Sequence, residues 1–196
     1  MSRAFTPYRN ENRDMELHVE GNKIYDRTGR QVMLTGVNCA SLEWLSNPEK
    51  LVTTVNYALD EWHANIIRLP LSQDRWFGFG GDQQGTDESG DRYRAIVDEI
   101  ITNVAERKKY LIIDLHRSNC GSWGEFISGN MPDMNSLVFW KDIACRYGNH
   151  PNVLFGIFNE PFKVSWDCWR DGGEVTVEYA PQNIGNQIMR DESGEP

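Results

Sequence analysis

Five side chains of the kinds that move protons or hold charge stand at the ends of short apolar runs: Asn38, Arg68, His116, Asn159 and Glu160. Asn38-Cys39-Ala40-Ser41-Leu42-Glu43-Trp44 follows the first run, Arg68 and residues 72–76 end the second, residues 116–125 follow the third, and Asn159-Glu160-Pro161 the fourth. Carboxyl, imidazole, guanidinium and carboxamide are the groups that acid–base and electrostatic chemistry draws on. Their recurrence at the run ends says where a site would be built. It does not choose the reaction.

The runs themselves predict strands near 33–38, 65–71, 110–116 and 153–159. Each is short, rich in β-branched residues and apolar on both parities, as buried parallel strands are. Helical segments alternate with them. The first is expected to open at Asn47 and Pro48 and to carry Leu51, Val55, Leu59 and Trp62 on one face. The second spaces Tyr93, Ile96, Val97, Ile100, Ile101 and Val104 at the helical period. The third has Leu137, Trp140, Ile143, Ala144 and Tyr147, with Gly148 as its stop. Ahead of them, residues 17–33 alternate with period two around Gly21-Asn22 and turn again at Thr28-Gly29-Arg30, which reads as an antiparallel hairpin. Strand–helix alternation repeated in this way specifies a parallel α/β sheet. In a (β/α)8 barrel all the run ends would meet at the C-terminal mouth, where such barrels carry their sites.

Composition narrows the classes. The 196 residues are 39% hydrophobic and 11% aromatic, enough for one core, and residues 1–14 are polar and charged, an expected loose arm before a domain at 15–196. A net charge of −9 disfavours nucleic acid and anionic membranes as partners. No run of about 18 apolar residues is present. Residues 1–8 lack the apolar stretch and cleavage site of a secretory signal, and the compartment stays open. The four cysteines, Cys39, Cys120, Cys145 and Cys168, show no CxxC spacing, so no metal site and no cofactor are expected. Cys120 and Cys168 fall in neighbouring loops and are expected close together, with Cys39 and Cys145 free. The glycine-rich stretch 78–85 lacks the Gly-Lys-Ser/Thr ending of a phosphate loop and reads as a flexible surface loop.

The sequence His-Pro-Asn-Val-Leu-Phe-Gly-Ile-Phe-Asn-Glu-Pro at 150–161 resembles the fourth strand of family 5 glycoside hydrolases, the cellulase family of barrel glycosidases. Gly36-Val37-Asn38 resembles its first strand, Ile67-Arg68-Leu69-Pro70 its second and Ile113-Asp114-Leu115-His116 its third, in the family's order over roughly residues 15–190. The resemblance implies the first half of a TIM barrel, with the hairpin as its bottom plug. It implies Glu160 as general acid/base, Asn159 on the sugar 2-hydroxyl, His116 in the cleft and Arg68 as the arginine that orients the nucleophile. The rival readings are a Glu that caps a helix, an Asn turn before Pro161, a core histidine, and a plain ion pair of Arg68 with Asp114. Trp44, Trp76, Trp123, Trp166 and Trp169 fall in mouth-side loops, where flat rings stack on pyranose faces or simply pack. Trp44, Trp123 and Trp76, with Asn38, are taken as substrate-binding.

A retaining glycosidase needs a second carboxylate about 5–5.5 Å from the first, and in the family it ends the seventh strand. The 35 residues after 161 cannot hold four more strands. The expected protein is therefore an incomplete retaining endo-β-1,4-glucanase that meets poly- or oligosaccharide. The rivals are a non-catalytic glycan-binding half barrel and a scaffold whose open sheet edges form a homodimer.

Overall fold

The structure, a computed structural model, describes residues 13–118 and 129–175. Most of the expected 1–14 arm, together with Trp123 and the Cys120 partner of the expected cysteine pair, lies outside the described residues. Hairpin strands β1 (Leu17–Glu20) and β2 (Lys23–Asp26) form an antiparallel two-stranded sheet. Its second turn is locked by Asp26, whose carboxylate accepts the Thr28 and Arg30 N–H groups, each at 3.0 Å.

Strands β3 (Gly36–Asn38), β4 (Ile66–Ser72), β5 (Tyr110–Arg117) and β6 (Val153–Gly156) follow as one parallel sheet in sequence order. Between them run α1 (Leu51–Asp60), α2 (Gln73–Trp76), α3 (Asp91–Glu106) and α4 (Met134–Tyr147), and α5 (Trp166–Asp171) comes after β6. The alternation of side chains along a strand divides the sheet cleanly. Ile67, Leu69, Leu71, Leu111, Ile113 and Leu115 are fully buried against the helices. On the other face Ile66, Tyr110, Ile112 and Leu154 meet Met15, Leu17, Val32 and Leu34, so the hairpin region plugs one end of the inner face. Arg68, Asp114 and His116 continue that face towards the opposite end.

Two residues explain how the sheet tolerates its sequence. A Cβ on Gly36 would lie 1.7 Å from the Ile66 carbonyl oxygen, so β3 approaches β4 only as glycine. Pro70 sits mid-strand, where a missing N–H normally breaks a ladder. The Cys39 N–H bonds the Arg68 carbonyl, and period two puts the Pro70 nitrogen on that same side, beyond the end of β3.

Several expectations are corrected. The first helix starts at Leu51 with Lys50 as its cap, not at Asn47-Pro48, because residues 49–50 form a turn. Its buried face is Leu51, Val55, Ala58 and Leu59, while Trp62 lies beyond the helix, 65% exposed. The third long helix buries Phe139, Ile143 and Tyr147 and leaves Leu137 60% exposed. β3 begins at Gly36 because the Asn65 side chain takes the pairing role below it, accepting from the Thr35 N–H and donating to the Met33 carbonyl. The 78–85 stretch is not a free loop: a 3-10 turn at Gly81–Gln83 is anchored by buried Gln83, which donates to the Arg75 carbonyl, and by an Asp82–Arg75 ion pair that also engages Ser46.

Candidate active site

The C-terminal ends of the four parallel strands carry one connected polar network. Arg68, near the middle of β4, reaches three partners: Nη1 donates to Asn38 Oδ1 at 3.0 Å, and Nη2 to Asn159 Oδ1 and Asp114 Oδ2, each at 2.7 Å. Asp114 Oδ2 also lies 2.9 Å from His116 Nδ1, and His116 Nε2 is 3.4 Å from Asn159 Nδ2. Strand geometry makes this possible. Asp114 and His116 are two apart on β5 and share a face, Asn38 pairs with Arg68 in register, and the Asn159 N–H is tied to the Leu115 carbonyl at 2.9 Å although regular pairing of β6 ends at Gly156. Asp114 is buried, while the Arg68 side chain is 32% exposed and His116 23%. The cluster is thus anchored on a buried carboxylate while Arg68 and His116 reach solvent.

Glu160 follows on the next residue, exposed and on left-handed backbone with φ 49°. That conformation costs a non-glycine residue roughly 1–2 kcal/mol. There the chain leaves the extended course of the strand.

The aromatic residues divide. Trp44, half-buried in the loop after β3, holds its ring 5.8 Å from the Arg117 guanidinium at the end of β5, which places it at the mouth. Trp76 is fully buried. It lies in helix α2, its ring edge-on to Tyr93, Phe139 and Tyr147, with Nε1 donating to Asp142 at 2.7 Å. The expectation that Trp76 binds substrate is overturned: the chain turns into a helix straight after β4 and tucks the ring beneath the mouth. Trp166 and Trp169, on α5, are 70% and 50% exposed.

Sequence reasoning passed over Glu43 and Arg117. Glu43 is 1% exposed, and its Oε2 accepts the Ser41 N–H at 2.6 Å, holding a non-glycine residue at φ 152°. Burial pushes the Glu43 carboxyl up from its ordinary value, against the pull of that N–H and of His116 and Arg117. Burial draws the Arg117 guanidinium down, with Glu43 opposing it. A loop glutamate has no periodicity to mark it, so only the fold reveals it. Because the folded protein holds the Glu43 proton more readily than the unfolded chain does, its contribution to stability is complete below the ordinary carboxyl value of 4.5 and is lost as pH rises through the raised one. Glu43→Gln is expected to remove that decline. The melting temperature of the variant minus that of the parent should climb as pH rises above 4.5 and then level off; a difference flat across that range would refute the burial effect.

Comparison with known proteins supplies the family. The family model described as cellulase, glycosyl hydrolase family 5, matches residues 25–189. The chain is 30% identical over 174 residues to endoglucanase MaCel5A of Microbulbifer sp. strain ALW1, covering 86% of this chain and 31% of that protein. It is 32% identical over 155 residues to endoglucanase Z of Dickeya dadantii, covering 76% and 32% respectively. Its fold superposes on the β-glucanase SdGluc5_26A of Saccharophagus degradans, solved with cellotetraose, at a TM-score of 0.59 and 24% identity over 80% of this chain and 47% of that one. The chain spans less than half the length of each of these proteins.

Proposed function

From the premise that the chain belongs to the cellulase family, glycosyl hydrolase family 5, we propose that it carries the acid/base half of a retaining endo-β-1,4-glucanase site. Glu160 is the general acid that protonates the leaving glycosidic oxygen and later the base that activates water. Asn159 hydrogen-bonds the sugar 2-hydroxyl, a contact that strengthens as the anomeric carbon gains oxocarbenium character. His116 and Asn38 line the same subsite, and Arg68 directs its charge at the place where the nucleophilic carboxylate stands, keeping that group ionised. Trp44 offers a ring face to a pyranose. The observation that carries this reading is the network joining Asn38, Arg68, Asp114, His116 and Asn159, the last of them the chain neighbour of Glu160. A retaining mechanism needs a second carboxylate about 5–5.5 Å from the first, and this reading assigns it to strands beyond these four.

Cellotetraose titrated into the 196-residue protein tests the assignment by NMR. The Trp44 indole N–H and the Asn38 and Asn159 side-chain amides should shift, while release of reducing ends from carboxymethyl-cellulose stays near background. Unmoved mouth resonances at millimolar sugar would sink the subsite, and brisk hydrolysis would sink the need for a second carboxylate.

A second reading has its own support. Among the described residues the outer edges of β3 and β6 have no strand partner, and Phe155 and Ile157 beside that edge are 41% and 68% exposed. Open edges of this kind recruit strands. In isolation the protein would therefore pair with a second copy, which light scattering across a dilution series reads as a concentration-dependent mass.

A further inference from the structure

Resting on the glycosidase reading, we propose that Asp114 is a positioning residue: it holds neutral His116 as its Nδ1–H tautomer and through that ring fixes which way the Asn159 carboxamide faces. The assignment follows from what each group is able to donate. A guanidinium has donors only, so the Asn159 atom 2.7 Å from Arg68 Nη2 is its carbonyl oxygen. The carboxamide nitrogen then faces His116 Nε2 at 3.4 Å. An NH2 group donates and does not accept, so Nε2 must bring a lone pair. In a neutral imidazole the proton is then on Nδ1, where Asp114 Oδ2 receives it at 2.9 Å. The reverse tautomer would set two donors against each other at Asn159 and a lone pair against a carboxylate at Asp114.

One carboxylate oxygen therefore fixes two partners at once, Arg68 at 2.7 Å and His116 at 2.9 Å, from a position 2% exposed. Neighbouring β6 makes room for it. Gly156 pairs with Asp114 in register, and a Cβ there would come 2.9 Å from Asp114 Oδ1. Asn159 is thus oriented from both ends, by Arg68 on its oxygen and by His116 on its nitrogen, and both of those groups are set by Asp114. Asp114 touches no substrate in this scheme; it acts only through its neighbours.

Long-range 1H–15N spectra of the histidine rings, recorded in mildly alkaline buffer and assigned by loss of signal in His116→Gln, test this without any turnover. The parent protein is expected to show a protonated Nδ1 and a bare Nε2 at His116; the opposite pattern overturns the proposal. Asp114→Ala should replace the single tautomer with an averaged signal. Asp114→Asn should restore it, because a carboxamide oxygen shared by Arg68 and the ring still accepts from Nδ1. A folded Asp114→Ala protein, by circular dichroism, with His116 unchanged would also overturn it. Should that variant not fold, the parent and the Asp114→Asn spectra decide alone. The readout leaves the glycosidase reading separately at risk, since that rests on sugar binding and on Glu160.

Discussion

Glutamine at position 160 is expected to slow β-glucan hydrolysis by about 10²–10⁴-fold in a barrel that includes the completing strands, the range in which general acid–base groups act. The change is nearly isosteric, and Glu160 is exposed, so melting temperature should stay close to that of the parent. What is lost is the proton. The penalty should therefore depend on the leaving group: a sugar alkoxide needs protonation as it departs, whereas an aryl oxide with a low conjugate-acid pKa leaves with little help. The first step on aryl glycosides should suffer least, measured as the burst of released phenol against steady-state release of sugar from polysaccharide. Equal losses on both substrates would refute the acid role and leave Glu160 as a binding group.

The largest expected effect on stability is at Trp76. Truncation of a fully buried large aromatic removes its transfer energy and leaves a cavity, typically about 3–5 kcal/mol for Trp→Ala. Trp76 meets those conditions, being 0% exposed and ringed by Tyr93, Phe139 and Tyr147 at centroid distances of 6.4, 5.8 and 6.3 Å. Arg94 and Arg146 lie over the same ring, and its N–H bond to Asp142 would be broken too. Urea denaturation of Trp76→Ala reads the loss directly. A destabilisation below about 1 kcal/mol, within the range of an ordinary surface substitution, would contradict the core assignment and return Trp76 to the cleft.

The strands were legible because burial on both faces writes a continuous apolar run, and the polar residues closing each run stood out against it, although Arg68 also read as an ion-pair partner of Asp114 and His116 as a core histidine. The helix faces were less so. Leu137 and Trp62 fit the period in sequence, yet the sheet presents its ridge to Phe139 in one case and the helix ends before the residue in the other. The tryptophans were sorted wrongly in one case. Trp44 and Trp76 both follow a strand within a few residues, and only the helical turn at Gln73–Trp76 sends one inward. Asp114 was visible as a partner for Arg68, but its second bond, to His116, depends on a shared oxygen that spacing does not reveal. Glu43 fell within the polar stretch after the first run but was not singled out, because loops carry no period.

The left-handed backbone at Glu160 has a consequence for how such a protein drifts. Glycine or asparagine would occupy that conformation at little cost, so every round of selection for stability alone favours the replacement of the one carboxyl proposed to do chemistry here. Selection for turnover would be what opposes that replacement. In a lineage that kept this fold for binding sugars or for assembly, position 160 should be among the first to relax, well before Arg68 or Asp114, whose charges hold each other in place. The identity of that single side chain across a set of descendants would then report how long ago hydrolysis ceased to matter.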